Sequence, residues 1–264
     1  MQPLKPRFQT PDGTGYGNVQ YCVRTNDIDE VGDGTHLTFF QMIGSFGFGT
    51  YNYESHVQMW SDIMTDLKIP IDHVDVHPDS QLDYLWLQRG YGVRMNPECV
   101  WSDGNVGGYC CELFTPDGLE VGNLVNPLQH SVDVGFGYER ILQIMEGKSR
   151  VDETSLFNQF LDPISRDHFR TLNVFHEQGI VPGNKGRNYV CRRLIRRFIR
   201  LNPNGLECSF MDWMDDERIR MENSIRDGRK HWRRNKRKLP PIPNSFYWET
   251  FGIMPDEMVL VKEE

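Results

Sequence analysis

Ser131-Val-Asp-Val-Gly-Phe-Gly-Tyr-Glu-Arg140, followed by the apolar Ile141, Leu142 and Ile144, is the stretch that decides the fold of this chain. An acidic residue, two spaced glycines and a Glu-Arg pair open what the pattern predicts to be a buried helix. Gly135 and Gly137 let the backbone take angles that a side chain would forbid, and let a ligand come close. Asp133 offers a carboxylate to a cation, and Arg140 a planar, permanently charged fork to a phosphate or a purine face. Taken alone, the segment reads equally as a strand-to-helix turn with Glu139 and Arg140 in solvent. The rest of the chain separates the two.

Upstream, Tyr21-Cys-Val-Arg-Thr-Asn-Asp-Ile-Asp-Glu-Val-Gly32 leads to Thr38-Phe-Phe-Gln-Met-Ile-Gly-Ser-Phe-Gly-Phe-Gly49. An apolar strand ends in an arginine, a polar acidic loop follows, and an aromatic-rich strand returns. Such a hairpin can aim Arg24 at a phosphate and lay Phe40 against a flat ring.

These two stretches resemble the alanyl-tRNA synthetase family of class II aminoacyl-tRNA synthetases. The family's second motif is an arginine strand, an Asn-Asp-Leu-Glu/Asp-x-Val-Gly loop and a Thr-Phe-Phe-Glu-Met-Leu-Gly-x-Phe-Ser-Phe-Gly strand. Its third motif, Asp-Thr-Gly-Met-Gly-Leu-Glu-Arg, is similar to residues 133–140. Three further blocks fall in the family's order. Trp101 precedes Gly107-Gly-Tyr-Cys-Cys-Glu112, where the family has Gly-Pro-Cys-Gly-Pro-Cys-x-Glu. Asn123-Leu-Val125 looks like the Trp-Asn-Leu-Val block, and Val181 to Arg197 is similar to Pro-Ser-Asn-Glu-Gly-Arg-Gly-Tyr-Val-Leu-Arg-Arg-Ile-Ile-Arg-Arg. Ordered blocks carry more weight than any single motif.

The resemblance implies an α+β fold, a class II synthetase-like antiparallel sheet with flanking helices, followed by a mainly helical domain. The expected division is 1–150 for the catalytic domain, its first motif truncated, and 151–264 for a basic, tRNA-recognition-like domain. It implies ATP-dependent activation of alanine, or a similarly small amino acid, as the adenylate, with transfer to the 3′ end of tRNA. ATP and Mg2+ are the implied cofactors. Arg24 and Arg140 become the catalytic pair, with His36 and Phe40 completing the ATP site. Phe40 and Arg140 would sandwich adenine. Asp133 would meet the substrate ammonium, with Asn123 near it and Trp101, Val125 and Gly135 walling a methyl-sized pocket. Asn184, Arg192, Arg193, Arg196 and Glu249 would face the tRNA acceptor stem. No metal site is expected.

Whole-chain features bound these expectations. No apolar run approaches the ~18 residues a membrane helix needs. The N-terminus is no signal peptide. Six cysteines without a Cys-x-x-Cys pair suggest reduced thiols in a cytoplasmic protein. The net charge of −8 is unevenly spread. Arg166 to Lys238 holds 19 Lys/Arg and nine Asp/Glu, a balance of +10, which leaves 10 basic and 28 acidic residues, or −18, elsewhere. A basic third on an acidic body suits a lobe that handles a polyanion, and equally a solvated helical face.

Strands are expected at Gln20–Val23, Thr38–Met42 and Ser131–Val134, and a helix at Tyr53–Leu67. Ile69–Val76 and Tyr84–Gly90 read as a small side module. Beyond Ser165 the pattern is helical, with apolar faces at Phe169, Leu172, Val174 and Phe175, and at Tyr189, Leu194, Ile195, Phe198 and Ile199. Arg192, Arg193, Arg196, Arg197 and Arg200 form a basic stripe flanking the second face. Asp227–Lys238 reads as a helix end with eight basic residues, His231 included, stopped near Leu239-Pro240-Pro241. Phe246–Met258 should pack an aromatic cluster.

The departures from the family pattern matter. Only Thr25 separates Arg24 from Asn26, so the family's Gly-Gly-Lys-His is missing. Arg-His-His before the second strand has become Thr35-His36-Leu37, and the strand's Glu has become Gln41. Phosphate handling is then weaker, or relies on His36. Met1-Gln-Pro-Leu-Lys5 resembles the end of the first motif, Gly-Met-x-x-Phe-Lys. Either the true start lies upstream or a bracing element is lost, and a homodimer or a partner could supply it. Asn184 holds the position of the family's acceptor-stem Asn, and Tyr247-Trp-Glu-Thr-Phe-Gly252 matches Leu-Tyr-Asp-Thr-Tyr-Gly-Phe-Pro with Glu249 for Asp. Nothing resembles the editing or C-terminal domains. Two alternatives stand beside the synthetase reading: a reduced paralogue that aminoacylates a small molecule or carrier, and an inactive RNA-binding scaffold.

Overall fold

The computed structural model describes residues 4–26, 28–49, 53–126, 131–237 and 242–262. The first-motif resemblance at Met1–Pro3 and the helix stop at Leu239-Pro240-Pro241 lie outside them. The chain forms two compact units, Met1–Leu156 and Phe157–Glu264, where the sequence reading divides it after residue 150. No helix among the described residues is long and apolar enough to cross a membrane.

The first unit is a sheet of β1 (Gly15–Val23), β2 (Phe39–Gly47), β3 (His73–Val76), β4 (Gly92–Met95), β5 (Val100–Asp103), β6 (Val106–Phe114), β7 (Glu120–Val125) and β8 (Val132–Gly137), with the short helices α1 (Lys5–Gln9) before β1 and α3 (Asp83–Gln88) between β3 and β4. Its order is β1-β2-β8-β7-β6-β3-β4, with β5 paired to β6. Every pairing is antiparallel except β3 with β4. Ile69–Val76 and the segment after it are therefore not a side module: β3 bonds β6 directly and extends the main sheet. Val74 and Val76 are fully buried in the same core as β8, which leaves no surface for a separate module.

The central strand β8 shows how the two faces divide the work. Successive side chains on a strand point to opposite faces. Val132, Val134 and Phe136 enter the core, where Trp60 of α2 (Tyr53–Asp66) stacks on Phe136 at 4.5 Å. The buried stripe of α2, Tyr53, Val57, Trp60 and Met64, recurs at helical spacing and lies against this face. Asp133, Gly135 and Gly137 take the other face. α4 (Tyr138–Met145) follows at once and buries Ile141 in the core.

Gly135 and Gly137 do not supply unusual backbone angles, contrary to expectation: neither has a positive φ, and Gly137 is at φ −70°. They supply room. A Cβ on Gly135 would lie 2.3 Å from Met42 Cε. The tightest position is Gly44 on β2, where a Cβ would lie 1.8 Å from the Val134 carbonyl oxygen.

The second unit is helical: α5 (Pro163–Glu177), α6 (Gly186–Leu201), α7 (Met211–Asn235), α8 (Asn244–Phe251) and α9 (Met258–Lys262). Asp162 caps α5, accepting from Ile164 N at 3.2 Å and Ser165 N at 3.1 Å. α7 runs 25 residues, so Asp227 onward is the end of a long helix. Gly228 packs closely on the terminal segment, since a Cβ there would meet Ile253 Cδ1 at 2.3 Å. Around that crossing Tyr247, Ile253, Met258 and Val261 form a core with Trp232, Phe246 and Phe251 against it.

Gly44→Ala should destabilise the first unit by at least about 3 kcal/mol, because the clash is with backbone that cannot move without parting β2 from β8. Gly17→Ala, whose Cβ would find only Gly44 O at 3.8 Å, should change stability by less than about 1 kcal/mol. Urea unfolding of both variants checks the contrast; equal midpoints would refute it.

Candidate functional site

Six of the nine residues expected at the catalytic site line one cleft of about 660 Å³: Arg24, His36, Phe40, Asn123, Gly135 and Arg140. It opens over β2, β8 and β7, on the face opposite α2. Arg24 leaves β1 with its amide bonded to Thr38 O at 2.9 Å, which closes the hairpin. Its guanidinium lies over the Phe40 ring, 5.4 Å from the centroid. Arg140 Nη1 donates to the Glu120 carbonyl at 2.6 Å and to Glu120 Oε2 at 3.2 Å. Arg24 thus lies on Phe40, while Arg140 is held at the cleft wall by Glu120.

The loop between β1 and β2 is pinned rather than loose. Ile28, Val31 and Leu37 are buried beneath it. Arg150 Nη2 donates to Gly32 O at 2.8 Å, and Val151 N donates to Gly34 O at 2.9 Å. Gly32 and Gly34, at φ 108° and 96°, take the left-handed region that this docking needs. His36 stands between Asp33, 2.6 Å from Nδ1, and Glu30, 3.4 Å from Nε2.

Glu120, Glu139 and Met42 also line the cleft, and the sequence pattern assigns them no role there. Glu139 is buried, not in solvent, and both its oxygens accept from Gln41 N, at 3.1 and 3.0 Å. The Glu-Arg pair marks the position, but a partner 98 residues away is invisible in the sequence.

Asp133, Val125 and Trp101 lie off the cleft. Asp133 pairs with Phe46 on β2 and Val125 on β7 in register, so its carboxyl points up between two buried apolar residues. Burial pushes it up to about 7 from 3.8. Trp101 packs against Cys99, Cys110 and Val125.

In the second unit, Asn184, Arg192, Arg196 and Glu249 share a cleft of about 950 Å³ with Tyr189 and Trp248. Arg193 is not among its lining residues. The expected basic stripe does not face outward. Arg192 Nε donates to Glu217 Oε1 at 2.9 Å, and Arg196 Nε to Glu217 Oε2 at 3.1 Å. Arg196 Nη1 also reaches Gly252 O and Glu257 Oε2, each at 3.1 Å, and Arg200 Nη1 reaches Glu257 Oε1 at 3.2 Å. Arg196 is 3% exposed, so it serves the interior, and its assignment to tRNA is corrected on that ground. Arg192 also donates to Asn184 Oδ1, which orients that amide. Exposed positive charge lies instead on α7, at Arg226, Lys230, Arg233 and Arg234.

Asp133→Asn tests the buried carboxyl. In the fold the neutral acid is favoured up to about pH 7, whereas the unfolded chain ionises near 3.8. The carboxyl therefore costs nothing below that lower value, lowers stability increasingly as pH rises between the two, and reaches a constant penalty above them. The variant should be more stable than the parent at pH 8, by up to about 4 kcal/mol, with a smaller gap at pH 5. Urea titrations at both pH values measure this; a variant no more stable at pH 8 would count against a buried neutral acid.

A family model described as tRNA synthetases class II (A) matches residues 2–92 and 119–219. An alanine–tRNA ligase of Desulfitobacterium hafniense (strain Y51) is 32% identical over 266 aligned residues, covering 76% of this chain and 30% of the relative. One of Pelotomaculum thermopropionicum is 29% identical over 279, covering 80% of this chain and 32% of the relative. The chain spans about a third of the length of these relatives. The match takes in the strands that bear the cleft as well as Asn184 and the helix α6 that follows it, and the chain belongs to the class II tRNA synthetases (A), the alanyl-tRNA synthetase family.

Proposed function

We propose that this chain activates alanine, or a similarly small amino acid, as its adenylate and passes it to the 3′ end of a tRNA. The observation that carries this reading is the cleft in which Arg24, Phe40, Asn123, Gly135 and Arg140 converge, with Asp133 two residues along the same strand face from Gly135. The amino-acid carboxylate must attack the α-phosphorus of ATP in line, while protein cations neutralise the charge growing on the phosphoryl oxygens. Arg24 is the group for the α-phosphate and the attacking carboxylate. Arg140, now held by Glu120, is the second cation and the flat face for adenine. Glu120 and Glu139 set hard carboxylate oxygens in the cleft, the donors Mg2+ takes beside nucleotide phosphates, so the residues fit that ion. When bound, Mg2+ would neutralise phosphate charge; Glu120 is the residue to hold it.

Asp133 gives amino-acid recognition a built-in acidity. Only its ionised form attracts the substrate ammonium. Its position near 7 means that apparent alanine affinity should improve by about tenfold from pH 6 to pH 8. Asp133→Asn should bind more weakly and lose that dependence. Arg140→Ala should abolish alanine-dependent ATP–pyrophosphate exchange while leaving the urea midpoint within about 1 kcal/mol of the parent. Undiminished exchange in folded Arg140→Ala would remove the catalytic assignment.

The acceptor is tested separately. Reversing charge at Arg233 and Arg234, both exposed on α7, should weaken binding to all acceptor-stem minihelices and reduce the salt slope by roughly 0.9 for each phosphate no longer neutralised. Asn184→Ala should leave that slope unchanged and remove discrimination between G·U and G·C at one stem pair, because groove contacts specify while backbone contacts position. Glu249, one methylene longer than the family's Asp, should make that preference soft. Filter binding across a salt series gives both numbers. No binding of either minihelix at low salt, with pyrophosphate exchange intact, would favour a small-molecule acceptor, the reading that the single-residue spacing between Arg24 and Asn26 also suits.

A further inference from the structure

One group of side chains on the site face of the sheet takes no part in the chemistry above. Cys99 and Cys110 are fully buried, Glu112 is half-buried, and a donor atom of each lies within 4.8 Å of the other two. The sheet builds this arrangement. Cys110 and Glu112 stand two apart on β6 and so share a face. Cys110 N donates to Cys99 O at 2.9 Å, which brings the residue just before β5 alongside them.

We propose that Cys99, Cys110 and Glu112 bind a thiophilic divalent cation, Zn2+ by its ligand preference. Two sulfurs and a carboxylate oxygen are a zinc donor set. The spacing also fits. Cys110 Sγ lies 3.5 Å from Glu112 Oε1, and tetrahedral zinc with Zn–S of about 2.3 Å and Zn–O of about 2.0 Å sets such a pair about 3.5 Å apart. Charge points the same way. Asp75 on β3 stands opposite Glu112 in register, and its Oδ1 is buried without a hydrogen bond, with His73 Nε2 at 3.5 Å. Among the described residues Glu112 makes no ion pair with Lys or Arg, and its carboxylate accepts from the Cys110 thiol instead. A divalent cation would displace the thiol protons and offset both carboxylates at once.

The location gives such an ion access to the amino-acid side of the site. Trp101 and Val125 pack on the two thiols, and Val125 is the register partner of Asp133. Three protein donors leave a tetrahedral ion one position for water or for a donor atom of a substrate. Cys99 and Cys110 are eleven residues apart in the sequence, which matches no zinc spacing and explains why the pattern gives no sign of it.

The test does not depend on any enzymatic activity. Full-length protein would be exposed to ZnSO4, dialysed against metal-free buffer, and assayed for zinc; one ion per chain is expected. X-ray absorption on that protein should show two sulfurs at about 2.3 Å with oxygen at about 2.0 Å. Co2+ in place of zinc should give a thiolate charge-transfer band that Cys110→Ser loses. Glu112→Gln, half-buried and isosteric, should keep the parent's circular dichroism and bind zinc at least about tenfold more weakly. Cys208→Ser, remote in sequence and in the other unit, should retain full zinc. Less than about a tenth of an ion per chain, a coordination shell without sulfur, or parental zinc affinity in Glu112→Gln would each overturn the proposal.

Discussion

The pleat of β8 is the constraint on which the first unit depends. Its odd and even positions belong to two different environments, and a slip of one residue would exchange them. Val132, Val134 and Phe136 must reach α2, or Trp60 loses the ring it stacks on. That requirement alone fixes Asp133, Gly135 and Gly137 on the opposite face. The site is therefore a by-product of core registration: hydrophobic burial on one side aims the polar groups on the other. The flanking strands repeat the pattern, since Gly44, Gly135 and Asn123 lie in one cross-strand row and Phe46, Asp133 and Val125 in the next. One row is open to a ligand. The other surrounds a carboxyl with apolar neighbours, and this burial is why Asp133 is pushed up to about 7.

Much of this organisation is legible in the sequence, and the reason is local. The period-two alternation in 131–137, the Arg-ended strand before Asn26 and the apolar stripe of 53–66 are all decided by neighbours within one element. What escapes is set by partners far along the chain. Glu139 finds Gln41 N, and Arg140 finds Glu120, because β2, β8 and β7 are adjacent in the sheet but not in sequence. The grouping of Cys99 with Cys110 depends on β5 folding back on β6. Gly135 and Gly137 stand out in the sequence both for backbone angles and for close approach, and neither takes a positive φ; sequence cannot tell a glycine needed for its angles from one, such as Gly135, needed for its emptiness.

Charge is the least readable feature. Regular spacing of arginines on α6 suggests a surface for polyanions, yet a run at intervals of four puts those side chains on one face whether that face is wet or dry. Here it is largely dry: Glu217 is 2% exposed and Glu257 0%, and each bridges two arginines of α6. A guanidinium presents several donors in a fixed plane, so one arginine such as Arg196 can satisfy two carboxylates and a carbonyl together. Lysine could not do the same.

Glu257 also sets an order of assembly. Arg196 and Arg200 leave the ribosome some sixty residues before Glu257, the second carboxylate on Arg196 and a partner of Arg200, and Glu257 further locks its own turn by accepting from Met254 N at 2.9 Å. Until that carboxylate arrives, among the described residues Glu217 alone faces Arg192 and Arg196, and closing α6 into the interior would bury two cations against one carboxylate, an uncompensated charge that costs about 3–5 kcal/mol. The nascent helical unit is thus obliged to stay open through most of its synthesis and to close late, in one step. A chain interrupted at any point before Glu257 would be left with its arginine face exposed, a form that chaperones and proteases can distinguish from the finished fold.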